Sequence, residues 1–185
     1  MMKERFTVLK SDAEIRARIK ELAAEISKDY SFIQPENPLL VLCTLRGAIF
    51  FAADLVRELT VPCEINFIKV QSYQGTRPAG SPIFELGERI EVRGREVLIV
   101  EDIVDTGQTM DTVMHNFSDK GAAGIRIATM LDKPSRRYPH LIGKVVPDYT
   151  GFSIEDYFVV GWGLDYNEQF RLLPDIMIYN PDADE

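Results

Sequence analysis

Short apolar runs with nowhere to turn a polar face constrain this chain more than any other feature. Leu39-Leu40-Val41-Leu42-Cys43 and Val97-Leu98-Ile99-Val100 are continuous, and Ile125 to Leu131 reads as a further strand. A strand with one wet face alternates apolar and polar residues, so a continuous run belongs in a sheet covered on both sides. The segments between them read as helices. Ile15, Ile19, Leu22, Ala23 and Ile26 recur at helical spacing from Ser11 to Tyr30, with Ser11 or Asp12 as the N-cap. Further helices are expected from about Ala48 to Leu59 and from Thr109 to Lys120, the latter capped by Gly121. Strands alternating with helices at these spacings predict βαβ units, hence an α/β fold with a mainly parallel, doubly wound sheet.

The remaining segments are less regular. Glu64 to Gln71 reads as a strand, and Ser72 to Ser81 is too rich in Gly, Pro and small polar residues for a regular element. A hairpin-like pair with a turn near Arg93-Gly94 is expected next, and Phe158-Val159-Val160 forms a short strand near the end. The chain has 185 residues, enough for one domain with a core of its own. No apolar run approaches the roughly 18–20 residues that cross a bilayer, and no signal core opens the chain, so a cytoplasmic protein without membrane partners is expected. The net charge of −8 argues against a nucleic-acid surface. It does not exclude an anionic small molecule held at short range by N–H groups, Arg, Lys or a metal. Cys43 and Cys63 lie in or beside apolar segments and read as small hydrophobes. His115 and His140 have no partner at triad or metal spacing.

The chemistry concentrates in Val97 to Thr109. A buried strand runs into Glu101 and Asp102, then Asp105-Thr106-Gly107-Gln108-Thr109 and the start of a helix. Ligands of open parallel sheets bind at the carboxyl ends of the strands, where the acidic pair falls. Adjacent carboxylates in a cleft repel, and a sugar diol or a hard cation such as Mg²⁺ compensates them. In the turn that follows, Gly107 permits positive φ, Thr106 and Thr109 offer hydroxyls, and the helix N-terminus presents N–H groups to a phosphate. By itself this stretch implies the binding of a phosphorylated ribose.

The Glu-Asp-Ile-Val-Asp-Thr-Gly-Gln-Thr run resembles the phosphoribosyl-pyrophosphate motif of the phosphoribosyltransferases, specifically the hypoxanthine-guanine branch. The likeness extends from about Leu39 to Leu173. It implies a type I phosphoribosyltransferase fold: one domain over 1–185, a core of about 37–135, and a hood built from the N-terminal segment and about 150–185. Leu45-Arg46-Gly47 resembles the family's pyrophosphate loop with its non-proline cis peptide, although many relatives carry Lys where Arg46 stands. Ser72-Tyr73 resembles the start of the lid that closes over the reacting centre. Arg77 is either a solvated loop residue or a ligand contact.

The resemblance also implies that Lys133 donates to the exocyclic oxygen of a 6-oxopurine. An ammonium has donors and no acceptor, so it offers nothing to the amino group of adenine. Phe158 is then the ring that stacks on the purine, Val159 supplies backbone hydrogen bonds to the base edge, and Arg171 reaches pyrophosphate. Glu101, Asp102 and Asp165 are the metal candidates, and Asp105 is the candidate general base. Trp162 is expected to pack near the site, whereas Arg136 and Arg137 read as a solvated basic loop outside it. The function so implied is Mg²⁺-dependent transfer of phosphoribosyl from phosphoribosyl pyrophosphate to hypoxanthine or guanine, in a homodimer or homotetramer. Xanthine as acceptor, and a nucleotide- or RNA-binding regulator on the same fold, remain open alternatives.

Overall fold

The computed structural model describes residues 5–71, 83–85 and 90–180. In chain order the elements are β1 (Phe6–Lys10), α1 (Asp12–Asp29), β2 (Leu39–Leu45), α2 (Ile49–Glu58), β3 (Cys63–Gln71), β4 (Ile83–Glu85) and β5 (Glu96–Val104). There follow α3 (Gln108–Asp119), β6 (Gly124–Asp132), two 3₁₀ turns, β7 (Tyr149–Ser153), β8 (Val159–Val160) and β9 (Ile176–Tyr179). Ser11 caps α1 in a capping box with Glu14, each satisfying the other's backbone N–H.

Six strands form the main sheet in the order β4-β3-β2-β5-β6-β7. Five of them run parallel, and β4 is antiparallel to β3. The alternating residues of the buried strands feed two separate cores. Val41, Cys43, Leu98, Val100 and Met130 pack with α1 and α2 residues such as Ile19, Leu22, Phe51 and Leu55. Leu40, Leu42, Val97, Ile99 and Ile127 pack on the other face with Met110, Val113 and Phe117 of α3. Continuous apolar runs are therefore required: each strand serves both cores.

The hairpin expected around Arg93-Gly94 does not form. The turn is there, with Gly94 at φ 71°, but β4 pairs with β3, and Ile90 to Val92 are not a strand. Local alternation could not show that β5 spends both its edges on β2 and β6. Three strands absent from the sequence reading, β1, β7 and β9, are short or half-exposed and carry weak periodicity. β7 joins the main sheet beside β6, while β1, β9 and β8 make a small antiparallel sheet. Asp175 ties that small sheet back to α1 by accepting from Asp12 N–H at 2.8 Å.

The order of the strands decides where a ligand can sit. From β2 the chain moves one way, through α2 to β3; from β5 it moves the other way, through α3 to β6. The crevice between the carboxyl ends of β2 and β5 is thus the topological switch point, where neighbouring loops diverge to opposite faces. Phe117, fully buried, anchors α3 beneath this crevice. Phe117→Ala is expected to lower unfolding free energy by about 3–5 kcal/mol, measured by urea denaturation with an unchanged m-value.

Candidate active site

A cavity of about 240 Å³ occupies the switch point, lined by Thr44 and Leu45 from β2, by Val70, and by Glu101 to Gly107, Thr109 and Met110. The segment singled out by sequence therefore wraps one concave surface. β5 runs on to Val104, so Glu101 and Asp102 lie within the last residues of the strand rather than beyond it.

Glu101 is buried, and burial together with the adjacent Asp102 charge pushes its carboxyl well above the ordinary carboxylate pKa. Thr44 Oγ1 lies 2.7 Å from Glu101 Oε1 and 2.9 Å from the Val100 carbonyl. Its single proton serves only one of them, leaving the carboxyl short of donors beyond the 3.1 Å bond from Asp102 N–H. Asp102 accepts from Ile103 N–H at 2.8 Å and lies against Gly47; a Cβ at position 47 would fall on its carboxylate. Gly47 is thus required by close approach, and the contact joins the Leu45-Arg46-Gly47 loop to the acidic pair. The Leu45–Arg46 peptide is cis.

The next turn has the expected geometry. Gly107 sits at φ 85° as the N-cap of α3, a left-handed conformation that favours glycine. The first turn of α3 borders the cavity through Thr109 and Met110, and Thr106 Oγ1 accepts from Gln108 N–H at 3.4 Å; the other early N–H groups have no partner within the helix. Asp105 is half-exposed at the rim.

Behind the turn, the two arginines depart from the solvated loop expected of them. Arg137 is not solvated but 8% exposed. Its guanidinium donates to the carbonyls of Val104 (2.8 Å), Asp105, Lys133 (3.3 Å) and Val145 (3.1 Å), and it pairs with the buried Asp132. One planar fork, with five donors, cross-links the backbone of Asp105 to that of Lys133. Arg136 is also engaged, donating from Nε to Asp105 Oδ1 at 3.2 Å. Nothing in two adjacent arginines distinguishes a surface pair from this arrangement.

Lys133 is nearly buried, and its ammonium lies 3.5 Å from Asp156. Phe158 is 49% exposed, a large ring left uncovered beside Tyr166 and Tyr179. Val159 lies opposite Ile178, and Tyr179 N–H donates to the Phe158 carbonyl. Val159 is therefore at a non-hydrogen-bonded position of the ladder, and its own N–H and C=O face the free edge of β8. Trp162 is buried against Phe51, as expected of a packing residue.

Arg171 and Asp165 meet: Arg171 lies 2.8 Å from Asp165 Oδ1 and donates at 2.8 Å to the Gly163 carbonyl. The other Asp165 oxygen accepts from Glu168 N–H at 2.8 Å. Arg46 pairs with Glu168 at 2.8 Å, so the Leu45-Arg46-Gly47 loop reaches this segment too. Gly163, at φ 102°, rests on the Gly47 carbonyl, where a Cβ would collide. Ser72 and Tyr73 lie outside the described residues, as does Arg77. His115 and His140 are exposed. Cys43 is buried, with its thiol pushed up to about 12 by burial; Cys63 is half-buried.

Glu101, Asp102 and Asp165 do not form one cluster: among the described residues no three His, Cys, Asp or Glu side chains gather as ligands. The hard oxygens of the Glu101-Asp102 pair, short of compensation, do fit a Mg²⁺ ion that takes most of its ligands from water and substrate.

The raised pKa of Glu101 has a definite sign. Above the ordinary carboxylate value of 4.5 the folded state holds a proton that the unfolded state has lost, so stability falls as pH rises. Glu101→Gln keeps the acceptor for Thr44 and removes this titration. Thermal denaturation from pH 5 to 8 is expected to show a smaller loss of Tm in Glu101→Gln than in the parent, whose Tm should be the lower near pH 8.

A model of the phosphoribosyl transferase domain matches residues 8–168. The hypoxanthine-guanine phosphoribosyltransferase of Streptococcus pneumoniae is 42% identical over 169 residues, covering 90% of this chain and 89% of the relative. The hypoxanthine-guanine-xanthine phosphoribosyltransferase of Tritrichomonas foetus is 36% identical over 182 residues, covering 96% and 93%. Among solved structures, a lysine-to-arginine mutant of the Trypanosoma cruzi hypoxanthine phosphoribosyltransferase, complexed with the product IMP, superposes with a TM-score of 0.86 at 38% identity. The match covers 96% of this chain and 92% of that one. No helix among the described residues is long and apolar enough to cross a membrane. With the parallel sheet, the switch-point cavity and these likenesses in agreement, the chain belongs to the phosphoribosyltransferase family, in its hypoxanthine-guanine branch.

Proposed function

We propose that this protein is a purine-salvage enzyme that transfers the phosphoribosyl group of phosphoribosyl pyrophosphate to hypoxanthine or guanine, giving IMP or GMP and pyrophosphate. The observation that carries the reading is the cavity at the β2–β5 switch point, where the pyrophosphate loop, the acidic pair and the phosphate turn face one another. A ring nitrogen of the purine displaces pyrophosphate at the anomeric carbon. The protein supplies no nucleophile; it must align two substrates, accept one proton and stabilise a leaving anion.

Each group has a part. The N-terminus of α3, with Thr106, Gly107, Gln108 and Thr109, holds the 5′-phosphate. Glu101 and Asp102 accept from the ribose hydroxyls, and a diol donating to them relieves the shortage of donors around Glu101. Leu45, Arg46, Gly47 and Arg171 receive pyrophosphate. Lys133 donates to the 6-oxo group, Phe158 stacks on the base, and the outward backbone of Val159 reads its edge. Asp105 takes the purine N–H proton. Ser72 and Tyr73 are assigned to the closing lid on family likeness alone. Mg²⁺, when held by Glu101, Asp102 and, through water, Asp165, would neutralise charge on the departing pyrophosphate. The exposed Ile49, Ile65 and Phe67 support a subunit contact beside the pyrophosphate loop, in a homodimer or homotetramer. Ile65 and Phe67 share the sheet face that Val41 and Cys43 give to α2.

Xanthine is the second acceptor to consider, because it differs from guanine at a position read by backbone groups such as those of Val159. A panel of hypoxanthine, guanine, xanthine and adenine, assayed with Mg²⁺ and with a chelator, tests the proposal. Turnover of the first two, none of adenine, and loss on chelation are expected; no turnover of any base refutes it. Asp105→Asn is expected to bind phosphoribosyl pyrophosphate normally by calorimetry while kcat drops by roughly 10²–10⁴-fold. Unchanged turnover would remove Asp105 from the role.

A further inference from the structure

Arg136 stands between two carboxylates. Its Nε donates to Asp105 Oδ1 at 3.2 Å, and its Nη1 donates to Asp156 Oδ2 at 3.4 Å. The other oxygen of Asp156 lies 3.5 Å from Lys133 Nζ. Asp105, Arg136, Asp156 and Lys133 so form a row of alternating charge, from the rim of the phosphate turn to the end of β6. Asp156 belongs to neither element: it lies between β7 and β8, two residues ahead of the exposed Phe158 ring.

The burial along this row is uneven, and that is informative. The Lys133 side chain is 9% exposed, whereas Asp156 is 55% and Arg136 47% exposed. The Arg136 pairs with Asp105 and Asp156 are exposed and add little to stability, whereas Asp156 is also the counter-charge of a lysine withdrawn from water. What the row provides is direction. A lysine carries its charge on a flexible four-carbon stem, and withdrawn from water it points wherever an acceptor is fixed. Asp156 is that acceptor, held on the same segment as the stacking ring.

We propose that Asp156 is a positioning residue for base selection: it aims the Lys133 ammonium at the exocyclic oxygen of a 6-oxopurine and keeps Arg136 beside Asp105. The inference rests on the transfer activity proposed above. A 6-oxo group accepts from an ammonium so placed. The amino group of adenine meets it donor to donor, and Asp156 prevents Lys133 from turning aside to make room. Without the carboxylate, Lys133 is free to move, so oxopurines bind less well and adenine is rejected less strictly.

The test uses the purified protein with Asp156→Asn, which keeps volume and loses charge, and Asp156→Glu, which keeps charge. For Asp156→Asn the KM for hypoxanthine and guanine is expected to rise about five- to tenfold, where tenfold is about 1.4 kcal/mol. The KM for phosphoribosyl pyrophosphate should stay within about twofold, while Tm falls somewhat because the buried Lys133 ammonium loses its counter-charge. The ratio of kcat/KM for hypoxanthine to that for adenine should fall, and Asp156→Glu should recover part of it. A merely structural role would raise both KM values together and leave the hypoxanthine-to-adenine ratio unchanged, and that result overturns the proposal. So does an unchanged base KM in an active Asp156→Asn. If the parent protein itself turns over no base, the activity beneath the inference has failed, and the inference fails with it.

Discussion

The parallel pairing of β2 with β5 is the constraint on which the rest of the molecule depends. Leu40 to Cys43 lie in register with Val97 to Val100, so the two strands end side by side and their following loops part to opposite faces. That parting opens the cavity, and the register brings Gly47 onto Asp102. Two loops distant in the chain thereby become one surface. Gly163, just beyond β8, presses on the Gly47 carbonyl, so the segment bearing Asp165 and Arg171 is indexed to the same point.

The electrostatics of the site run against folding. Glu101 is buried next to a second carboxylate, and Arg137 withdraws a full charge from water. A buried cation of this kind is tolerated only when every donor is used and a counter-charge is close. Arg137 approaches that condition, with all three of its nitrogens partnered by four carbonyls and Asp132, and the outcome is a link between the Asp105 and Lys133 backbones. Glu101 does not meet it. Its shortage of donors is what the proposed ribose diol or Mg²⁺ would relieve. The two full cores on either side of the sheet supply the stability that permits this.

How much of this was legible in the sequence varied with the range of the interaction. Helix α1 and its Ser11 cap rest on neighbours within four residues. The apolar runs of β2 and β5 betray burial on both faces because no polar residue interrupts them. The phosphate turn at Asp105 to Thr109 is contiguous, and its glycine conformation is local. The supposed hairpin near Arg93 was misleading because local alternation says nothing of which edge a strand pairs with. Arg137 looks like a solvated residue in the sequence because its partners are mostly backbone carbonyls, and carbonyls leave no mark on a sequence pattern.

From the sequence by itself came the class of fold, the strand-borne acidic pair, the phosphate turn and the family likeness that names Lys133 and Phe158. These depend on residue type and short spacing, which a linear chain displays directly. Only the tertiary structure decided that β4 closes the sheet on β3, that Arg137 is a buried clamp, and that Asp156 lies between Lys133 and Arg136. Those outcomes depend on which distant segments share a boundary, and Asp156 lies 51 residues beyond Asp105 in the chain. Folding settles such proximity through the pairing of strands, and no pattern along the chain encodes it at either end alone.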